Sequence, residues 1–267
     1  MPATSIRVGV GGWEYEPWRG SFFPAGLGKS RELAFSSRAL TAIEVNSTFY
    51  KTQKPETFRR WAAETPDDFV FTVKAPRYVV NRRVLADSAD GIARFLESGV
   101  TELGAKLGPI LWQLPPTRPF NAAEIAAFLS LLPRQFGGRD LQHALEVRHP
   151  SFLDPGFPAL ARRFTVPIVY ADSDKYPAIA DLTGDFVYAR LQRCSEGEPS
   201  GYPAEELRLW AERALIWAGG GAPGGLDYLA AEEVDAPQHA RPVYMFFING
   251  DKVRAPAAAQ ALLRLLA

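Results

Sequence analysis

Two short segments of the chain place polar residues two positions apart, where an apolar run ends. The pairs are Glu44 with Asn46, and Glu146 with Arg148, which His149 follows directly. Because side chains alternate along a β-strand, the members of each pair lie on one face. Burying such groups costs free energy unless they are paired or solvated. The spacing therefore predicts two strands that share a polar pocket.

Other predicted strands also end in ionic or amide residues. These residues are Lys74, Gln113, Asp172, Arg190 and Asn249. In parallel barrels the C-terminal ends of the strands meet at one face, where the active site lies. We therefore expect these side chains to converge with the two pairs in a ligand pocket. Trp13 and Tyr50 are expected to wall the pocket mouth and stack on a ring of the ligand.

Two carboxylates and two cations are the catalytic candidates. Glu44 and Glu146 are predicted to act as general acid and base, while Lys74 and Arg148 stabilise negative charge on the substrate. The predicted substrate-binding residues are Asn46, Tyr50, Gln113, His149, Asp172, Arg190, Asn249 and Trp13. Because several of these groups are cationic, the set favours an anionic ligand bearing phosphate or carboxylate.

No cofactor is predicted, and a divalent metal is kept as an alternative. Glu146, His149 and Asp172 are the ligands that such a metal would use. The chain has three histidines and one cysteine, Cys194, so nitrogen and sulfur ligands are few. His149 precedes Pro150, and the simpler interpretation is that its ring satisfies a turn.

These side chains need a scaffold in which many strands end at one face. The predicted strands are Ile6–Gly11, Ala42–Asn46, Phe69–Lys74, Pro109–Leu114, Ala144–Arg148, Ile168–Asp172, Phe186–Leu191 and Val243–Ile248. The helical patterns between them cover Ser30–Leu40, Glu56–Glu64, Ser88–Leu103, Ala122–Leu132, Pro158–Phe164, Ala204–Ala218 and Pro256–Leu266. This alternation is typical of a parallel α/β sheet. Eight strands in 267 residues favour a single-domain, TIM-like (β/α)8 barrel over a doubly wound open sheet.

The composition limits the classes of partner. The chain has 30 basic and 30 acidic residues, so nucleic acid would have to be recognised by a local patch. A single cysteine excludes an internal disulfide framework. Residues 1–5 lack the apolar stretch of a signal peptide, and no apolar run reaches bilayer-spanning length. We expect a cytoplasmic protein with no membrane partner; the sequence makes no prediction of its oligomeric state.

One stretch reads as an insertion. Residues 219–241 begin with a run of glycines and a proline and continue through an acidic segment. This composition is typical of a mobile surface loop. Because the stretch precedes the last predicted strand, we expect it at the N-terminal end of the barrel, without a part in the chemistry.

Several short motifs are distributed through nearly the whole chain. They are Gly12-Trp13, Glu44-Val45-Asn46-Ser47-Thr48-Phe49-Tyr50, Phe69-Val70-Phe71-Thr72-Val73-Lys74-Ala75-Pro76, Leu107-Gly108-Pro109-Ile110-Leu111-Trp112-Gln113, Glu146-Val147-Arg148-His149-Pro150-Ser151-Phe152 and Tyr188-Ala189-Arg190-Leu191. In these motifs the chain resembles the YecE-like proteins, catalogued as domain of unknown function 72. The resemblance implies a TIM-like barrel and a pocket at the strand ends, and it implies no particular reaction.

The chain departs from that pattern at several places, and two of the departures replace histidines. It reads Val80-Asn81 where the family commonly has Thr-His, and Gln192-Arg193 where the family has His-Gly. The resemblance therefore implies a divergent member that lacks two histidines able to move protons. The glutamate, arginine and lysine residues of the pattern are retained.

Three functions remain open. The first is an enzyme, a hydrolase or an isomerase or lyase, that acts on a small anionic molecule. The second is a nucleic-acid-binding protein or nuclease. In that case the approach to the pocket would be lined by Arg77, Arg82, Arg83, Arg118 and Arg193. The third is a ligand-binding scaffold without catalysis.

Overall fold

A parallel sheet of eight strands forms the centre of the computed structural model, which describes residues 6–230 and 239–267. The strands are β1 (Ile6–Gly11), β2 (Ala42–Val45), β3 (Val70–Lys74), β4 (Leu107–Gln113), β5 (Gln135–Phe136), β6 (Arg139–Asp140), β7 (His143–Glu146), β8 (Tyr170–Asp172), β9 (Val187–Leu191) and β10 (Val243–Phe247). The sheet order is β7-β4-β3-β2-β1-β10-β9-β8, and β5 and β6 form a separate antiparallel hairpin. The eight parallel strands match the eight predicted runs.

The two ends of this sheet meet between β7 and β8. Leu145 and Ile168 form an isolated parallel bridge. Around it, the Leu145 N–H donates to Pro167 O at 2.9 Å and the Val169 N–H donates to Leu145 O at 2.9 Å. The sheet is therefore nearly closed, and the predicted TIM-like barrel is confirmed.

Nine α-helices surround the barrel or lie in its loops within the described ranges. They are α1 (Glu32–Ala39), α2 (Ser47–Tyr50), α3 (Pro55–Glu64), α4 (Arg77–Val80), α5 (Ala89–Glu97), α6 (Ala122–Ser130), α7 (Gly156–Arg163), α8 (Ala204–Ala218) and α9 (Ala255–Leu266). The one-turn helices α2 and α4 were not predicted. They follow β2 and β3 directly and shape the loops at the C-terminal face.

The predicted helix Ser88–Leu103 is wrong in its length. Helix α5 ends at Glu97, and Gly99 takes a left-handed conformation with φ of 99°. A Cβ on Gly99 would lie 2.7 Å from the Pro55 Cα, so the chain passes α3 too closely for a side chain. A 3-10 helix, Val100–Lys106, then leads into β4.

The inside of the barrel changes from apolar to polar along the strands. One cluster of apolar and aromatic side chains fills the interior below the pocket and reaches its wall at Ile248; its members are Ala42, Leu111, Ala144, Val169, Phe186, Tyr188, Tyr244, Phe246 and Ile248. Two positions further along their strands, Ala42 is followed by Glu44, Leu111 by Gln113, and Tyr188 by Arg190. Strand alternation thus stacks a polar layer on an apolar plug.

The connection from β8 to β9 contains no long helix, as predicted. Its flank is covered by residues that follow α8. Leu226 and Tyr228 pack on the outer core, and the N–H groups of Leu229 and Ala230 donate to the Asp181 carboxylate at 2.8 and 3.0 Å. The remaining part of the predicted insertion at 231–238 lies outside the described residues, as do residues 1–5.

The helices that the structure describes can be compared with what a membrane span requires. None of them combines the length and the apolar character that a bilayer span requires.

Gly9 provides a test of the packing between β1 and β2. A Cβ on this residue would lie 1.9 Å from Ala42 O, and backbone atoms cannot move aside as a flexible side chain does. We expect Gly9→Ala to lower the free energy of unfolding by about 3 kcal/mol or more, measured by urea denaturation. Gly28→Ala is the control, because nothing lies within 4 Å of an added Cβ there. A Gly9→Ala protein as stable as wild type would contradict this packing.

Candidate functional site

Arg190, on β9, lies at the centre of the polar layer with 2% of its surface exposed. Its Nε and Nη2 donate to the two oxygens of Glu44 at 3.1 and 3.0 Å. Its Nη1 donates to Glu146 Oε2 at 2.6 Å. Both carboxylates are fully buried. Such an arrangement is stable only when every charge has its partner, because an unpaired buried ion costs several kcal/mol.

Tyr188 extends this network toward the apolar plug. Its hydroxyl donates to Glu44 Oε2 at 2.7 Å and lies 2.9 Å from Thr72 Oγ1. A phenol has one proton, so Thr72 is the donor in the second contact. Burial and the Glu44 charge raise the pKa of Tyr188 well above its usual value. Tyr188 was not predicted, although its position two residues before Arg190 was a visible signal.

Glu146 ends β7 and is held by three donors. Besides Arg190, Gln113 Nε2 donates to Oε2 at 2.7 Å and Arg148 Nε donates to Oε1 at 2.9 Å. Burial raises the pKa of Glu146, but the charges of Arg190 and Arg148 outweigh this effect and bring it to about 2. The Glu146 carboxylate is therefore charged at neutral pH.

The expected acid and base roles of Glu44 and Glu146 are not supported by this geometry. Both carboxylates are fully buried, and neither belongs to the wall of the pocket described below. Their oxygens are directed at arginine side chains. The two residues hold the arginine side chains in position.

A pocket of about 470 Å³ opens above this network at the C-terminal face. Its wall is formed by Gly11, Asn46, Phe49, Tyr50, Lys74, Asn81, Gln113, Pro115, Pro116, Arg148, Arg190, Ile248, Asn249 and Lys252. Four of these side chains are cationic, and no carboxylate lines the wall within the described residues. The wall of the pocket is therefore cationic.

Lys74 is the last residue of β3 and has 7% of its surface exposed. Its Nζ lies 4.1 Å from the centre of the Phe49 ring, and the Thr48 hydroxyl fixes its backbone by donating to Lys74 O at 2.7 Å. Across residues 6–230 and 239–267, its ammonium has no hydrogen bond and no ion pair. Burial and the nearby charge of Arg190 lower the pKa of Lys74 to about 8.

Two further cations stand at the pocket mouth on aromatic rings. The Arg148 guanidinium lies 4.2 Å from the centre of the Tyr176 ring, and its Nη1 donates to the Tyr176 hydroxyl at 3.3 Å. Lys252 Nζ lies 4.6 Å from the Tyr15 ring and 5.4 Å from the Trp18 ring. Rings of this kind hold a cation in place without neutralising it.

Asp172 does not reach the pocket, so its predicted role is corrected. It shares a face of β8 with Tyr170, whose ring packs on Trp210 and Trp217 of α8, outside the barrel. On that side the Asp172 carboxylate accepts from Arg193 Nε at 2.8 Å and from the Tyr202 hydroxyl at 3.0 Å. The sequence placed Asp172 correctly at a strand end but could not tell which face it occupies.

His149 also lies away from the pocket wall, and the turn interpretation fits its position. Its Nδ1 accepts from the Ser151 N–H at 3.2 Å and contacts Ser151 Oγ at 2.8 Å. The ring thus caps the short 3-10 helix Pro150–Phe152. Alternation from Glu146 and Arg148 also places His149 on the opposite face.

The alternative metal site is not assembled by these residues. Glu146 faces the barrel interior, His149 caps a turn and Asp172 faces α8. No group of three or more histidine, cysteine or acidic side chains suited to a metal occurs in the part of the chain that the structure describes.

The other predicted binding residues lie at or beside the pocket. Asn46, Tyr50, Gln113 and Asn249 belong to its wall, and Asn249 holds a positive φ of 66° while its Nδ2 donates to Gln192 Oε1 at 3.1 Å. Trp13 packs on Trp61 and lines an adjoining cleft, which shares Asn46 and Tyr50 with the pocket. Sequence reasoning missed Asn81, Lys252 and Tyr176, which lie in loops without a periodic pattern.

Two of the five arginines expected at the approach to the pocket form ion pairs within the protein. Arg118 pairs with Glu124 at 2.7 Å, and Arg193 pairs with Asp172 at 2.8 Å. The ion pairs leave the charges of Arg118 and Arg193 balanced by carboxylates of the protein.

Comparisons with known proteins agree with this fold. A sequence profile described as "Protein of unknown function DUF72" matches residues 7–267. The UPF0759 protein YecE of Escherichia coli (strain K12) is 32% identical over 154 residues, which are 57% of this chain and 51% of that protein. The UPF0759 protein YunF of Bacillus subtilis (strain 168) is 27% identical over 157 residues, or 57% and 54%. The chain spans about half the length of the curated relatives it matches.

Solved structures extend the similarity to the whole chain. A DUF72 family protein from Thermotoga maritima has a TM-score of 0.71 and 22% identity, covering 98% of both chains. A DUF72 family protein from Enterococcus faecalis has a TM-score of 0.70 and 17% identity, covering 98% of this chain and 95% of that one. At these identities the likeness concerns the fold alone.

Glu146→Gln tests the buried network. We expect it to lower the free energy of unfolding at pH 7 by about 3 kcal/mol or more, because two arginines lose a buried counter-charge. The pKa of Glu146 falls from about 4.3 in the unfolded chain to about 2 in the fold. The stabilisation that the charged Glu146 provides is thus fully present at a pH above its unfolded-state pKa. It is lost as the pH falls through its folded-state pKa. Urea denaturation should show the difference from wild type shrinking from about pH 5 toward pH 2.

Glu56→Gln is the control for that experiment. Glu56 is 71% exposed and pairs with Arg59 at 3.1 Å on the surface. We expect little change in stability at any pH, because surface ion pairs contribute little. A Glu146→Gln protein that behaved like this control would contradict the network.

Lys74→Met tests the burial of an unpaired ammonium. The pKa of Lys74 is about 8 in the folded protein and about 10.4 in the unfolded chain. At a pH below about 8 the buried ammonium is therefore protonated in the fold and lowers the free energy of unfolding. That cost disappears as the pH rises between the two values, and wild-type stability should rise over the same range. We expect Lys74→Met to be more stable than wild type at pH 7, by about 2 kcal/mol, in urea denaturation.

Lys106→Met is the matched control, because Lys106 Nζ donates to Ala62 O at 2.6 Å and Thr65 O at 2.7 Å. Removing these bonds should lower stability. A Lys74→Met protein that lost stability in the same way would show that the Lys74 ammonium has partners after all.

Proposed function

This chain belongs to the DUF72 family, whose function is unknown, and we propose that its pocket binds and converts a small molecule bearing a carboxylate or phosphate. Arg148 holds the anionic group at the mouth of the pocket. Lys74 is the reacting side chain. The protein is then an enzyme of the isomerase, lyase or hydrolase type.

The observation that carries this proposal is the charge of the pocket wall. It contains Lys74, Arg148, Arg190 and Lys252 and, within the described residues, no carboxylate. Arg190 uses three of its N–H groups on Glu44 and Glu146. Arg148 retains Nη2 and part of Nη1 for a ligand, and a guanidinium matches the paired oxygens of carboxylate or phosphate.

The amine of Lys74 is the group that acts as a general acid or base. A pKa of about 8 leaves part of its population as the neutral amine at neutral pH, and a general acid or base works best with a pKa near the operating pH. The Lys74→Met variant is expected to be more stable than wild type. An ionisable group retained in the core at the expense of stability is typical of active sites.

The size of the pocket favours a small molecule over nucleic acid. Its volume of about 470 Å³ lies within the usual range for small-molecule sites. Arg118 and Arg193, which nucleic acid would need at the approach, are paired with carboxylates of the protein. The overall charge balance provides no field to attract a polyanion.

Calorimetric titration with inorganic phosphate, pyruvate and an oligonucleotide tests this function. We expect binding of at least one of the two small anions, with an affinity at least tenfold lower in Arg148→Gln, a loss of about 1.4 kcal/mol. Arg163→Gln is the control, because Arg163 is an exposed residue at the end of α7, and it should bind like wild type.

Two results would overturn the proposal. One is the absence of binding for both small anions at millimolar concentration. The other is salt-dependent binding of the oligonucleotide that is unaffected by Arg148→Gln but lost when the exposed Arg82 and Arg83 are replaced by glutamine; it would favour nucleic-acid recognition.

A further inference from the structure

The Lys74 amine is presented as a nucleophile would be. Its backbone is fixed at the end of β3, where Thr48 donates to Lys74 O at 2.7 Å. Its Nζ rests on the Phe49 ring at 4.1 Å and belongs to the pocket wall. No carboxylate among the described residues pairs with it, although Glu44 and Glu146 lie in the same layer and bind arginines instead. A largely buried lysine with arginines nearby is activated for attack on a carbonyl carbon.

We propose that Lys74 forms an imine with the carbonyl carbon of an oxo acid, whose carboxylate is bound by Arg148. This inference rests on the proposed function, because the same pocket must first bind the anion. It narrows the substrate to a small molecule that carries a ketone or aldehyde beside or near its carboxylate.

The step is balanced without an oxidant or a reductant. The lone pair of the neutral Nζ forms a C–N bond to the carbonyl carbon, and one proton moves from nitrogen to the former carbonyl oxygen. The C–O bond of this carbinolamine then breaks, and the oxygen leaves as water with a proton taken from solvent. The product is a protonated imine on Lys74, an electron sink that promotes cleavage of a neighbouring C–C or C–O bond.

The other lysines near the barrel do not offer the same chemistry. Lys106 Nζ is occupied by Ala62 O and Thr65 O at 2.6 and 2.7 Å. Lys252 lies over two aromatic rings at the mouth. The geometry therefore assigns the covalent bond to Lys74 alone among these three.

Borohydride trapping with pyruvate tests the inference on the whole purified chain. We expect sodium borohydride to fix one reduced pyruvate per chain, seen as a single mass increase and located on Lys74 by peptide mapping. Trapping should become faster as the pH rises toward about 8, the pKa of Lys74. Acetone, which lacks a carboxylate, should be trapped at least tenfold more slowly.

Three variants complete the experiment. Lys74→Arg keeps the positive charge and should give no adduct, and Arg148→Gln should slow trapping at least tenfold at low pyruvate concentration. Lys175→Arg, at an exposed loop position, should be trapped like wild type. The wild-type peptide map tests the inference even if a variant fails to fold.

The outcomes separate this inference from the proposed function. Pyruvate that binds in calorimetry without an adduct on Lys74 would overturn the imine and leave the anion site standing. An adduct spread over surface lysines, or equal trapping of acetone and pyruvate, would also overturn it. Failure of every small anion to bind would overturn both proposals.

Discussion

A buried guanidinium needs carboxylate partners, because an unpaired charge in the protein interior costs several kcal/mol. This constraint determines which side chains lie together inside the barrel. Arg190 satisfies it with Glu44 on β2 and Glu146 on β7. The two carboxylates come from strands that are distant in the sheet order, so the ion pairs form only when the barrel has its final shape. Tyr188 and Gln113 supply the remaining hydrogen bonds at 2.7 Å each. The polar layer is therefore as specific to this fold as the apolar plug beneath it.

This constraint also decides the character of the pocket. Because both carboxylates are committed to Arg190 and Arg148, Lys74 has no counter-charge of its own in the described chain. The wall above the network is consequently cationic within the described residues. Lys252 is held in place by stacking on Tyr15 at 4.6 Å rather than by an ion pair.

Strand positions and the polar strand ends could be predicted from period-two spacing, since Glu44 and Glu146 sit on faces that alternation fixes. The same rule failed for Asp172, because a strand of three residues covered by α8 gives no sequence signal of which face is inside. His149 was never supported by this rule, because alternation places it on the face opposite to Glu146 and Arg148. Lys252 and Tyr176 could not be found, since loops place side chains through tertiary contacts without any repeating pattern.

The barrel has its fewest inter-strand hydrogen bonds between β7 and β8, where an isolated bridge joins Leu145 to Ile168. The ion pair of Glu146 with Arg190 connects β7 to β9 and so passes over β8, the strand at this seam. The ion pair therefore joins the strands on either side of the seam where the sheet has the fewest hydrogen bonds. Local opening of the seam, the kind of fluctuation that amide hydrogen exchange detects, would therefore disrupt the floor of the pocket as well. The integrity of the wall and the geometry of the site depend on one and the same contact.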